Sequence, residues 1–123
     1  MKRVRVVLAN RPRLMREFVR AIIADQEDIE IVGEVPGEQQ LETAVTESSA
    51  DFLILSLENG SRLSARCASI LRSYPNLRIL AISPEGNHMT LYWTSLSIQH
   101  IQMEASEAGV LKALRGRSVL VVS

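Results

Sequence analysis

The chain has 123 residues, enough for one domain that buries its own core. Hydrophobic residues make up 46%, which excludes a disordered chain, and 14 basic residues against 14 acidic ones exclude broad electrostatic binding to nucleic acid or an anionic membrane. The one cysteine, Cys67, cannot form an internal disulfide, no stretch approaches the roughly 20 apolar residues of a membrane span, and the Met1-Lys2-Arg3 start lacks a signal peptide's apolar run, so a reduced, cytoplasmic compartment is expected.

Residues 4–9 form a predicted strand, because Val4, Val6, Val7 and Leu8 favour pleated backbone, and Asn10-Arg11-Pro12 ends it. A helix follows from Arg13 to near Gln26, with Leu14, Met15, Phe18, Val19, Ile22 and Ile23 at three- and four-residue steps. Residues 29–35 make a shorter, partly polar strand suited to a sheet edge, and Pro36-Gly37 turns the chain. A short amphipathic helix over 39–47 turns Leu41, Ala44 and Val45 to one side.

The run Phe52-Leu53-Ile54-Leu55-Ser56-Leu57 is nearly continuous in apolar residues, and Asn59-Gly60 stops it. It reads as a strand buried on both faces in the middle of a parallel sheet. Its carboxyl end, where open α/β sheets place their chemistry, offers Ser56. Leu63, Cys67, Ile70, Leu71 and Tyr74 stripe a third helix closed by Pro75-Asn76. Residues 77–83 are a fourth strand, 89–96 a short helix in which Thr90 and Thr94 lower the propensity, and 98–103 a fifth strand. A last helix opens at Glu104-Ala105-Ser106-Glu107 and ends at Gly116.

Strand and helix thus alternate five times, which implies an α/β fold: a three-layer αβα sandwich with helices on both faces of a parallel sheet. Residues 1–117 make up this domain. The apolar tail, 118–123, is read as an extra C-terminal strand, a swapped or dimerising segment, or the start of something further.

Several stretches carry a family resemblance: Val6-Val7-Leu8-Ala9, Leu14-Met15-Arg16-Glu17, Asp28-Ile29-Glu30-Ile31-Val32-Gly33-Glu34, Asp51-Phe52-Leu53-Ile54-Leu55, Leu77-Arg78-Ile79-Leu80 and Glu104-Ala105-Ser106. On these the chain resembles the receiver domain of bacterial response regulators, the CheY-like (flavodoxin-like) fold, and within it the receivers of helix-turn-helix output regulators. The resemblance implies a five-stranded sheet of order 2-1-3-4-5.

The same resemblance places the family's chemistry on positions that differ here. Two acidic residues that hold a divalent cation correspond to Asn10 and Arg11, the phosphate-accepting aspartate to Ser56, and the lysine after the fifth strand to Met103. The hydroxyl after the fourth strand is kept as Ser83, and the switch aromatic corresponds to His100. Phosphoryl transfer needs an in-line nucleophile and a cation on oxygen ligands. Asn10 is a poor magnesium ligand alone, the fixed charge of Arg11 repels a cation, and Ser56 lacks a carboxylate. Arg11 and Glu58 are expected to approach across the former metal pocket, unless Glu58 has already left the strand and is solvated.

His88 and His100 are too isolated to specify zinc, so no metal and no cofactor are expected. Tyr92 and Trp93 are the candidate partner surface, one of the pair facing the core. No acid, base and nucleophile set suggests an enzyme. The expected function is an atypical, phosphorylation-independent receiver-like module that binds a protein partner, a second copy of the chain being one candidate. A small-ligand or anion sensor using Asn10, Arg11, Ser56, Ser83 and Met103 is the alternative. A third reading is the receiver part of a DNA-binding regulator whose output domain is absent here, since nothing after Arg115 is long enough for a helix-turn-helix.

Overall fold

Phe52, Leu53 and Ile54 are all fully buried, because their strand is flanked by a neighbour on each edge and by helices on each face. In the computed structural model, which describes residues 3–10, 13–57, 62–83 and 88–115, this strand is β3 (Phe52–Ser56). The others are β1 (Val4–Ala9), β2 (Ile29–Glu34), β4 (Arg78–Ile82), β5 (His88–Ser95) and β6 (Ser97–Glu104). The helices are α1 (Arg13–Ala24), α2 (Leu41–Ser48), α3 (Ala65–Ser73) and α4 (Glu107–Arg115), with a single 3-10 turn over Glu38–Gln40 leading into α2.

The sheet has the order β2-β1-β3-β4-β5-β6. The first four strands are mutually parallel, as an α/β fold with crossover helices requires. β2 occupies an edge. The α1 and α4 helices cover one face, where Val19, Ile23, Val110 and Leu114 pack on Val6, Leu8, Phe52, Ile54 and Leu80. The α2 and α3 helices cover the other, where Leu41, Val45, Cys67, Ile70 and Leu71 pack on Val7, Leu53, Leu55 and Ile79. Along each strand the side chains alternate between these two cores, the period-two geometry of a pleated strand.

One segment departs from the sequence reading. Residues 89–96, expected as a short helix, belong to β5, which pairs antiparallel with β4 from Ile79↔Tyr92 to Ile82↔Met89. The physical reason lies in the residues: Met89 and Leu91 enter one core and Tyr92 the other, a strict alternation, and Thr, Tyr and Trp all favour strand over helix. The five expected strands keep their order and common direction. The sixth inserts between β4 and β6 with the opposite direction, and is not drawn from the tail, which lies outside the described residues.

The β5–β6 connection is very tight. Ser95 pairs with Ser97, leaving Leu96 alone at the tip with φ 69° and its side chain in solvent. The helix ends follow local chemistry more regularly. Ser64 caps α3 by accepting from the Cys67 N–H at 3.2 Å, and Ser106 caps α4 by accepting from the Gly109 N–H at 3.0 Å. At the far end of α4, Arg115 makes a two-pronged contact to Asp28 at 2.8 Å on each oxygen, which ties the last helix to the loop before β2. On α1 only four of the six striped apolar residues are buried; Leu14 and Phe18 lie on the solvent side of the stripe.

Candidate functional site

The carboxyl ends of β1, β3 and β4 bring Asn10, Ser56 and Ser83 to one end of the sheet. Because Ala9 pairs with Leu55, the next residues, Asn10 and Ser56, fall side by side. The Asn10 side chain is fully buried, and its Nδ2 donates to Ser56 Oγ at 3.2 Å. Its Oδ1 meets no hydrogen-bond donor among the described residues. Ser83, 2% exposed, is tied to the start of β5: its N–H donates to the His88 carbonyl at 2.8 Å and its Oγ accepts from the His88 N–H at 3.2 Å.

The remaining sequence-predicted residues lie elsewhere. His100 and Met103 are on β6, one strand beyond β5, so at about 4.8 Å per strand they stand roughly 10 Å from β4. His100 pairs with Tyr92, the two rings 5.9 Å apart between centroids, and Met103 pairs with Met89 on the α1/α4 face. Tyr92 and Trp93 are both half-buried on opposite faces of β5, Tyr92 against the α2/α3 core and Trp93 against the other. Burial raises the Tyr92 hydroxyl above its ordinary range. Arg11 and Glu58, the expected ion pair, lie outside the described residues.

Among the described residues at this end of the sheet, Asn10 and Ser56 supply one amide oxygen and one hydroxyl, whereas a hard divalent cation calls for carboxylates among its oxygen ligands. Among the described residues, no group of three or more His, Cys, Asp or Glu side chains is gathered closely enough to hold a metal. Nor does the amide beside Ser56 act as a base, since a carboxamide takes no proton from a hydroxyl.

Beside Ser56, on the α2/α3 face, lies a cavity of about 420 Å³ that the sequence did not reveal. Its floor is apolar, with Leu41, Leu55 and Cys67, and its rim carries Glu38, Arg62 and Ser64. Ser64 Oγ donates to Glu38 Oε1 at 2.8 Å, while Arg62 is exposed and makes no ion pair among the described residues. The Cys67 thiol is pushed up from its ordinary range, chiefly by burial, and so stays protonated and unreactive near neutrality. These residues come from the segment after the Pro36-Gly37 turn, the start of α2, β3 and the start of α3; the turn and the Ser64 cap were the available signals.

No family model and no curated protein sequence matches the chain. Among solved structures, the chain is similar to the signal receiver domain of the response regulator NarL from Mycobacterium tuberculosis. The two are 26% identical over 68% of each chain, with a TM-score of 0.56. It is also similar in fold to the Salmonella typhimurium response regulator RcsB, at 21% identity and a TM-score of 0.58, over 71% of this chain and 46% of that one. With β2-β1-β3-β4 in the order expected for a receiver and helices on both faces, the chain is a CheY-like receiver domain, of the type found in response regulators.

Proposed function

We propose that this receiver domain works without phosphorylation, as a protein-interaction or regulatory module of bacterial signal transduction in the cytoplasm, and that it is not an enzyme. The observation that carries the reading is the Asn10–Ser56 hydrogen bond. Where a receiver's aspartates would gather a cation and accept a phosphoryl group, a buried amide is engaged with a hydroxyl. A serine there forms no acyl phosphate, and neither residue brings the negative charge that draws in magnesium. What is retained is the scaffold and its surfaces. The test is a backbone amide spectrum recorded with magnesium and beryllofluoride. Resonances at Asn10, Ser56 and Ser83 are expected to stay in place, and a saturable shift at Ser56 would overturn the reading.

The cavity beside Ser56 favours a second reading, a small-ligand sensor. Among the described residues it shares only Ser56 with the pocket expected from the sequence. An apolar floor with a guanidinium at its rim, unpaired among the described residues, suits a small carboxylate bearing an apolar tail. Hexanoate is a suitable probe. At 100 times its dissociation constant it would stabilise the fold by about 2.7 kcal/mol, and Arg62→Gln would reduce that effect. No thermal shift at millimolar hexanoate would remove this second reading.

A further inference from the structure

The two edges of the sheet are built differently. β2 is six residues long, its pairing with β1 slips between Val6 and Val7, and it carries Glu30 and Glu34. Glu30 pairs with Arg5, and Glu34 holds both Arg16 and Arg20, so charged groups flank that edge. An irregular, charged strand is a poor template for another strand. β6 is longer and lacks the slip, and its one acidic residue, Glu104, stands at its very end. It runs for eight residues in unbroken register with β5, from His88↔Glu104 to Ser95↔Ser97, and its sequence, Ser-Ile-Gln-His-Ile-Gln-Met-Glu, contains no proline, lysine or arginine. Its outer row of backbone N–H and C=O groups faces no other strand of the described sheet. His100, Ile101, Gln102 and Glu104 are exposed, with Ile101 at 43%.

We propose that β6 docks on β6 of a second copy of this chain, antiparallel, joining two sheets into one. The inference rests on reading the domain as an interaction module and names the partner and the surface. Two antiparallel strands related by a two-fold axis normal to the sheet keep each residue opposite one on the same face, so the axis passes through a residue. Placed at Gln102, it sets the two Gln102 amides opposite one another, Ile101 opposite Met103 of the second copy, and His100 opposite Glu104 of the second copy. Every pair is then matched: amide with amide, apolar with apolar, an imidazole N–H with a carboxylate. An axis at Ile101 sets Glu104 against Ile98 instead, and one at His100 leaves Glu104 without a facing residue in the strand. Such a short ladder buries little area, so the association is weak and concentration-dependent.

The experiment is disulfide trapping in the full chain under a glutathione redox buffer. Directly opposed residues of an antiparallel pair have Cα atoms about 4.5–5.5 Å apart, inside the roughly 4.4–6.8 Å that a disulfide spans. Gln102→Cys is expected to form a covalent dimer at least tenfold faster than Glu30→Cys on the opposite edge, and adding Ile101→Lys to Gln102→Cys is expected to slow it tenfold. The unaltered chain, whose Cys67 is buried, is the control and stays monomeric on a non-reducing gel. Sedimentation velocity of that chain is expected to show a dimer that grows with concentration and is lost in Ile101→Lys. Equal trapping at positions 102 and 30, trapping indifferent to Ile101→Lys, or a monomer at every concentration would each overturn the proposal. None of these outcomes bears on the beryllofluoride test, so the two readings fail separately.

Discussion

Asn10 and Ser56 face each other across neighbouring strand ends, the Asn10 amide donating to the Ser56 hydroxyl at 3.2 Å while its carbonyl oxygen is buried without a donor among the described residues. An unsatisfied buried acceptor costs about 1–3 kcal/mol, and a buried carboxylate without donors costs more. Asn10→Asp is therefore expected to destabilise the fold by about 2 kcal/mol at pH 7. Burial raises the folded-state pKa of the introduced carboxyl, so the cost is expected to disappear as pH falls through that value towards the unfolded one. Urea denaturation at pH 7 and pH 4 measures this, and an equal loss at both would contradict it.

Leu96 sits at φ 69° in the β5–β6 turn with its side chain in water. A left-handed backbone costs an ordinary residue roughly 1–2 kcal/mol, and the exposed leucine recovers nothing by packing. Leu96→Gly is expected to raise stability by about 1 kcal/mol, read as a higher urea midpoint with unchanged slope.

Helix propensity alone would favour alanine over Gly109 in α4. A Cβ there, however, would stand 2.3 Å from the Glu104 carbonyl oxygen, a backbone atom fixed by the end of β6. Gly109→Ala is expected to destabilise by about 2 kcal/mol against the roughly 1 kcal/mol gain that propensity predicts. Thermal denaturation decides the sign.

The Arg115 guanidinium beside Asp28 holds that carboxyl below its ordinary value, the hydrogen bond being the largest cause. A folded pKa below the unfolded one contributes stability above the unfolded value, near 3.8, that is lost as pH falls through the folded value. Asp28→Asn is thus expected to be less stable than the parent at pH 7 and indistinguishable from it near pH 2. Denaturant titrations at the two pH values test this.

Much of the architecture was readable from residue order. The apolar run at Phe52 announces a doubly covered strand, and once the order around it is 2-1-3, Asn10 and Ser56 must be neighbours. The segment 89–96 misled because its spacing admits two interpretations: Met89 and Trp93 lie four apart, as on a helix, yet Met89, Leu91 and Trp93 also alternate, and pairing with β4 decided between them. Placing a strand there moved His100 and Met103 outward from where the resemblance put them. The cavity was not legible, since Glu38, Arg62 and Cys67 approach only through the packing of α2 and α3 on β3. Leu14 and Phe18 belong to an apolar stripe wider than the surface it covers, which periodicity does not reveal.

The inserted hairpin also changes how the outer sheet comes apart. β5 and β6 close on each other within one continuous stretch of chain, so they pair early and open together. When they open, the edge laid bare is β4, whose residues Ile79, Leu80 and Ile82 are among the most apolar of the fold. Hydrogen exchange should therefore find β5 and β6 exchanging as one cooperative unit ahead of β1 and β3, and that transient opening is where this chain is most exposed to aggregation.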